Sequence, residues 1–514
     1  MKHFNCILFA AVMMFGAAAN AQNQITISAD QELSKIDRHI YGHFAEHLGT
    51  GIYGGVWVGE DSEIPNTEGY RTDVLEALQR LEVPNIRWPG GCFADEYYWM
   101  DGIGPRDERP ARINTHWGMV IEDNSFGTHE FLRLTELLDA EPVVAMNVGS
   151  GTPREMQQWI EYMNFDGDSE MANLRRRNGR DEPWGVKYVG VGNESWGCGG
   201  NMRPEYYADL YRRFATYIRT YSGNEIFRVA SGFDTARYWW TDTLMDRAGN
   251  MMEGISLHYY TIAGESWQSK GSSVDFEEDE YFSGLQAALR LDEFIEGHSN
   301  RMDRYDPDKR VALVVDEWGI WTDPLPGSNP GFLQQQNSLR DALIASISLD
   351  ILNKHSDRVR MANIAQMVNV LQAMILTDGE DMVLTPTYHV FDMYRTHFDA
   401  RLLHTHVQVD DYEYNGERIP AVSLTASKSD SGQLNLTLTN LKAGEAQQVN
   451  IDIRGQDVGG VLPGKILTAD EVNAVNTFDD PERVTLQEFD GYQLNGNTLT
   501  LSLPAKSVVM VTLE

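Results

Sequence analysis

Between residues 73 and 370 the chain alternates strand-like and helix-like segments, and this repeat limits the fold more than any other feature. Asp73 to Leu81 has helical spacing and is followed by a strand pattern at Asn85 to Trp88. Thr128 is placed to cap a helix carrying Phe131, Leu134, Leu137 and Leu138, and Pro142 to Val148 reads as the next strand. Thr152-Pro153 opens another helix, with proline in the first turn where its missing N–H costs nothing. Helical patterns at 205–221, 238–247, 280–300 and 331–354 then alternate with strand patterns at 227–231, 254–259, 311–317 and 362–370. Strand–helix units repeated over about 330 residues predict a parallel sheet closed by crossovers, and a (β/α)8 TIM barrel is the natural count. The alternative is an open doubly wound sheet. No glycine-rich phosphate turn follows the first strand, which favours the barrel.

After about residue 400 the texture changes. Leu434 to Thr439, Leu499 to Leu503 and Val509 to Leu513 alternate with period two, separated by turn clusters such as Asp430-Ser431-Gly432 and Asn495-Gly496-Asn497. This predicts a C-terminal all-β sandwich. Gln24 to Ser28 alternates in the same way and is expected to add an N-terminal strand to it. The expected organisation is a signal peptide over 1–21, the added strand over 22–40, the barrel over 41–399 and the sandwich over 400–514. A chain of 514 residues, 42% hydrophobic, has ample material for a large core and is too long for one average domain.

Lys2 and His3 precede an apolar stretch from Ile7 to Ala19, and Ala19-Asn20-Ala21 has the small-x-small pattern of a signal-peptidase site. The stretch is too short and too early for a membrane anchor, so an exported protein, periplasmic or secreted, is expected. Cys6 would leave with that leader. Only Cys92 and Cys198 remain, too few for a stapled scaffold, and whether they pair stays open at this point. The net charge is −34, from 76 acidic and 42 basic residues, and such a surface repels phosphate backbones. Nucleic acid is thereby excluded as a partner. A neutral polysaccharide is not.

Two apolar runs each end in a glutamate: Val189-Gly190-Val191-Gly192-Asn193-Glu194 and Val311-Ala312-Leu313-Val314-Val315-Asp316-Glu317. Each reads as a buried strand that delivers a carboxylate at its C-terminal end. Two carboxylates on one rim of a barrel are the minimum equipment for cleaving a glycosidic bond.

Gly192 to Gly200, around Glu194, resembles the acid/base segment of family 51 of the glycoside hydrolases, mainly α-L-arabinofuranosidases. Tyr41 to Leu48, Gly51 to Gly55, Arg87 to Phe93, Trp99 to Pro105, Phe126-Gly127-Thr128 and Leu257 to Tyr260 resemble that family too. So do Asp316-Glu317-Trp318, Gln366 to Val370 and the late Asn476-Thr477-Phe478-Asp479. A bare Asn-Glu dipeptide says little; this many motifs in order says a great deal. The resemblance implies a catalytic barrel with a β-sandwich, retaining removal of terminal non-reducing α-L-arabinofuranosyl groups, and a homo-oligomer, commonly a hexamer. It places the acid/base on Glu194, after the fourth barrel strand, and the nucleophile on Glu317, after the seventh.

The same resemblance sets Glu46 and Gln366 against sugar hydroxyls, Tyr260 against the nucleophile and Asn193 against the sugar 2-hydroxyl. Cys92 would be a small pocket wall or weak hydrogen-bonding group. His258 is a candidate support for the nucleophile, and Trp99, Trp318 and Trp321 are candidate apolar walls, although tryptophan is more often core than platform. No metal or cofactor is expected. His43 and His47 are the only tempting histidine pair, and the rest of a zinc ligand set is missing. The expected partner is an oligo- or polysaccharide bearing arabinofuranosyl groups. Two other readings compete: a β-xylosidase or endo-β-1,4-glucanase on the same fold, and a non-catalytic carbohydrate-binding protein. The intact glutamates argue against the latter.

Overall fold

The computed structural model describes residues 23–514. The expected leader, residues 1–21, lies outside them. Strand β1 (Asn23–Lys35) comes first, and the eight strands of the barrel follow, with two short hairpins in their loops: β2 (Gly42–Phe44), β3 (Asn85–Trp88), β4 (Glu141–Met146), β5 (Tyr188–Val191), β6 (Phe227–Ala230), β7 (Gly254–Thr261), β8 (Ala312–Ile320) and β9 (Val359–Ala365). Strands β2 to β9 close a barrel in sequence order, every neighbour parallel, with β9 pairing back onto β2. The expected (β/α)8 barrel is therefore present. Parallel strands are buried on both faces, which is why the runs ending at Glu194 and Glu317 are almost unbroken in apolar residues.

Nine helices are described: α1 (Thr72–Leu81), α2 (Thr128–Leu138), α3 (Pro153–Asn164), α4 (Glu170–Arg177), α5 (Pro204–Tyr217), α6 (Tyr238–Ala248), α7 (Glu278–Met302), α8 (Leu339–Lys354) and α9 (Pro386–Tyr394). Two helix starts differ from expectation. Thr128 is the first helical residue rather than the cap, because the Glu130 carboxylate accepts from the Gly127 N–H at 2.9 Å and makes Gly127 the cap. The helix expected from residue 331 begins at Leu339, where Ser338 and Asp341 form a capping box. Thr152 caps α3 as expected, with Pro153 in its first turn.

Nine strands after the barrel belong to one large sheet: β10 (Arg401–Gln408), β11 (Val422–Lys428), β12 (Leu434–Asn440), β13 (Gln447–Arg454), β14 (Gly464–Leu467), β15 (Gln487–Phe489), β16 (Tyr492–Asn495), β17 (Thr498–Leu503) and β18 (Ser507–Leu513). The C-terminal all-β unit is one hydrogen-bonded run of ten strands, β15-β14-β18-β12-β11-β10-β1-β13-β17-β16. Strand β1 sits inside it, antiparallel to β10 and parallel to β13. No helix among the described residues is long and apolar enough to cross a membrane.

Candidate active site

The C-terminal ends of the barrel strands surround a cavity of about 340 Å³. Loops after seven of the eight strands wall it, all but the loop after β4. Active sites of such barrels lie at this end.

Glu317 is on β8, and both its oxygens are held. Arg87, from β3, donates Nη1–H to Oε1 at 2.9 Å, and the Tyr260 hydroxyl, from β7, donates to Oε2 at 2.8 Å. Glu194 follows β5 through Gly192 (φ +86°) and itself has φ +39°, a left-handed conformation that a glutamate adopts at a cost. Its carbonyl accepts from the Gly197 N–H at 2.7 Å, which fixes the turn. His258, on β7, joins the two carboxylates: its Nδ1 lies 2.9 Å from Glu194 Oε1 and 3.5 Å from Glu317 Oε2, while Nε2 lies 3.2 Å from Asp316 Oδ1. An oxygen of Glu194 and one of Glu317 approach within 4.8 Å.

Burial raises the Glu194 carboxyl above the usual range, the His258 hydrogen bond and charge oppose this, and Glu317 and Asp234 add to it. Burial works against a charged His258, but the Glu317 charge and the Asp316 and Glu194 contacts outweigh it and hold the ring well above its ordinary value. Asp316 is held low: burial opposes the charge, and the Arg87 guanidinium and His258 overcome it. Burial, then the Glu317 charge, keeps Tyr260 protonated as a donor.

Glu46, after β2, accepts from the Gly91 N–H at 2.8 Å and from the Gln366 side-chain amide at 3.0 Å. Burial, then the Glu317 charge, raises its carboxyl to about 7. The Gln366 Oε1 is buried with no partner among the described residues, on a residue that lines the cavity. Asn193 is buried, with its side-chain amide beside cavity-lining Gly91 and the Cys198 sulfur. Its Oδ1 accepts from Arg87 Nη2 at 2.6 Å and its N–H is held by Asp95 Oδ2 at 2.9 Å. Cys92 lines the cavity and is bonded to Cys198, so it is a disulfide wall rather than a thiol. The Cys198 sulfur lies 3.6 Å from Glu194 Oε2.

Two expected walls are elsewhere. Trp318 is 1% exposed and stacks on Phe391 of α9, because residues 317 and 318 of one strand point to opposite sides. Trp99 stacks on Trp159 of α3 and donates its indole N–H to the Glu155 carbonyl. Trp321 does line the cavity, together with Trp117, Trp196 and Trp267. Sequence reasoning gave no role to Arg87, Asp95, Asp316 or Asp234. Arg87 had a readable signal, a charge in the middle of a buried strand; Asp95 in its loop had none. Glu194, His258 and Glu317 lie close enough to share a cation. Arg87 already contacts Glu317 there, and a second cation beside it is unfavourable. His43 and His47 do not form a ligand pair: His47 Nε2 accepts from the Trp88 indole at 3.2 Å.

Models of the α-L-arabinofuranosidase 1 domain and of the α-L-arabinofuranosidase C-terminal domain match residues 77–275 and 316–507. An intracellular exo-α-L-arabinofuranosidase of Bacteroides ovatus is 54% identical, over 97% of this chain and 96% of its own. The crystal structure of the GH51 arabinofuranosidase from Xanthomonas axonopodis pv. citri superposes with a TM-score of 0.95 at 52% identity, covering 96% of this chain and 100% of that one. The arabinose complex of the Thermotoga maritima α-L-arabinofuranosidase does so at 0.83 and 31%, covering 96% and 99%. The export expected from the N-terminal pattern is corrected by these comparisons: the Bacteroides ovatus relative is described as intracellular, and a periplasmic or secreted location no longer stands. Two matching domain models, a relative more than half identical end to end and a near-superimposable barrel give one result: the chain belongs to family 51 of the glycoside hydrolases, the α-L-arabinofuranosidases.

Proposed function

We propose that this α-L-arabinofuranosidase is exo-acting and retaining, with Glu317 as nucleophile and Glu194 as acid/base. One observation carries the reading: in one walled cavity an oxygen of each carboxylate lies within 4.8 Å of the other, both against the same His258 nitrogen, which favours the close pairing of retaining enzymes over the roughly 6.5–9.5 Å separation that leaves room for an inverting water. Glu317 attacks the anomeric carbon and forms a C–O bond as the bond to the leaving oxygen breaks. Glu194 gives that oxygen its proton. In the second step Glu194 takes a proton from water, the hydroxide adds to the anomeric carbon, and the Glu317 carboxylate is released. Arg87 and Tyr260 aim Glu317 at the sugar, and Glu46 and Gln366 bind its hydroxyls. Asn193 meets the sugar 2-hydroxyl through its side-chain amide, while its Oδ1 accepts from Arg87.

The substrates in this reading are terminal α-L-arabinofuranosyl groups on hemicellulose or pectin oligosaccharides. An endo-acting glucanase needs a cleft open at both ends, whereas Trp117, Trp267, Trp321 and Leu333 stand around this cavity. Assembly into a homo-oligomer, a hexamer by family resemblance, belongs to the same proposal and is checked by sedimentation. The test of mechanism is proton NMR of the first sugar released from an aryl α-L-arabinofuranoside. The α-anomer is expected. The β-anomer would remove the retaining assignment, and a fully active Glu317→Ala variant would remove Glu317 as nucleophile.

A further inference from the structure

The mouth of the cavity carries groups that the reaction at the anomeric carbon does not use. Asp234 and Thr235 follow β6, Trp267 follows β7, and all three line the cavity on the way out from the catalytic carboxylates. The Asp234 Oδ1 is buried and has no hydrogen-bond partner among the described residues. The other carboxylate oxygen, Oδ2, also accepts no hydrogen bond among the described residues, and because Asp234 lines the cavity it is the oxygen that a ligand donor can reach. Arg237, the neighbouring cation on the same loop, lies over the Phe233 ring at 4.8 Å.

The backbone that presents Asp234 is strained. Thr235 has φ +46°, a left-handed conformation that a β-branched residue takes only where its surroundings force it. Those surroundings are visible. His298 of α7 is buried, with Nδ1 2.8 Å from the Thr241 hydroxyl and Nε2 2.8 Å from the Thr235 carbonyl. Asp234 also bridges to His258 through the backbone, so its position is tied to the strand behind the acid/base.

Trp267 supplies the second component. Its ring meets Trp321 edge-on at 5.5 Å, and Trp321 meets Tyr260 edge-on at 4.9 Å. Tyr260 holds Glu317. The series therefore runs outward from the nucleophile to solvent, and at its end Trp267 is 47% exposed among the described residues. Sugar rings present C–H faces that pack on such surfaces and rim hydroxyls that donate to carboxylates.

We infer that Asp234 and Trp267 form the subsite for the leaving group: Asp234 accepts from a hydroxyl of the sugar unit that carries the arabinofuranosyl group, and Trp267 packs against that unit's ring. The inference rests on the acid/base assignment of Glu194, because the leaving sugar must pass beside that residue. The ligand is a neutral aldose with a free hydroxyl near the linkage. These two residues would then set which glycans are trimmed, while the inner pocket reads only the arabinose.

The test compares two substrates that both need acid assistance: an α-1,5-linked arabinofuranosyl disaccharide, and methyl α-L-arabinofuranoside, which has no leaving sugar. Asp234→Ala is expected to lower kcat/KM on the disaccharide about tenfold or more beyond any change on the methyl glycoside, as for loss of a hydrogen bond to a charged group; both substrates are read on the acid side of the pH profile, where removing the Asp234 charge beside Glu194 weighs on the two alike. Trp267→Ala is expected to raise KM for the disaccharide alone. A parallel fall on both substrates in the Asp234 variant, or no fall on the disaccharide, overturns the subsite. Asp234→Asn, which keeps the shape, is read in its place if the alanine variant fails to fold. Glu194→Ala separates the two readings: if that variant cleaves methyl α-L-arabinofuranoside at the parental rate, the acid/base assignment fails, whatever Asp234 does.

Discussion

A methyl group at position 91 would lie 2.6 Å from Oε1 of Glu317, so the loop that carries Cys92 can pass the nucleophile only as glycine. The same residue donates its N–H to Glu46. Gly91→Ala is expected to lower kcat about a hundredfold through displacement of Glu317, with little change in melting temperature; steady-state kinetics beside thermal denaturation checks both halves. Glu194 gives a second residue-level test. As an acid it must be protonated in the first step, so kcat/KM falls as pH rises through its pKa, and its raised value places that fall above the ordinary glutamate range. The groups acting on it are His258, which lowers it, and Glu317 and Asp234, which raise it. His258→Asn removes the lowering contribution. The alkaline limb of the remaining activity should therefore move to higher pH, and a move to lower pH would show that His258 acts on the site in another way.

Helix α8 shows what the elements contribute. Every residue of it except Lys354 is buried, because one side packs on barrel strands β8 and β9 and the other on sheet strands β11, β12 and β18. Asp350 is thereby a carboxyl in the core, accepting from Ser423 and Thr425 at 2.6 Å and from Tyr394 at 2.8 Å. Burial raises it from 3.8 to about 7, against those hydrogen bonds. The folded state thus holds its proton more tightly than the unfolded chain does. Stability from this group is fully present below the unfolded value and is lost as pH rises from about 4 to about 7. The shift corresponds to about 4 kcal/mol as an upper order of magnitude. Asp350→Asn should raise the melting temperature at pH 8 and do so much less at pH 4; equal effects at both would remove the burial argument. The strands ending at Glu194 and Glu317 were legible in the sequence because buried parallel strands are written as apolar runs. The misplaced Trp318 was legible too, since alternation from Glu317 turns it away from the cavity. The joining of Arg87, Asn193 and Glu317 was not: those residues lie 106 and 230 positions from Arg87, and only closure of the barrel brings them together. The pairing of Cys92 with Cys198 was hidden for the same reason, across 106 residues.

The barrel and the ten-stranded sheet are not two beads on a string. Strand β1 pairs antiparallel with β10, from Gln24 opposite Gln408 to Lys35 opposite Arg401, so the whole barrel is inserted between two adjacent strands of one sheet. The contacts between the units are specific. The first backbone N–H groups of α8, at Leu339 and Arg340, donate to the carbonyls of Ala474 and Val472 at 2.9 Å, which satisfies a helix terminus with the other unit's backbone. Asn476, from the late motif noted in the sequence, donates to the Leu384 carbonyl at 2.9 Å and accepts through its own carbonyl from Gln336 at 2.8 Å. Tyr281 of α7 donates to the Leu441 carbonyl at 2.8 Å. Unfolding either unit alone would leave α8 with one face bare and its N–H groups unpaired. The expected outcome in scanning calorimetry is one transition with equal calorimetric and van't Hoff enthalpies, unusual for a chain of 514 residues. Asn476→Ala should move that single transition down by several degrees without splitting it, since the lost side-chain bond to the Leu384 carbonyl joins the two units. Two resolved transitions in the parent protein would mean that the barrel stands without the sheet, and that β1 and α8 join the units without coupling them.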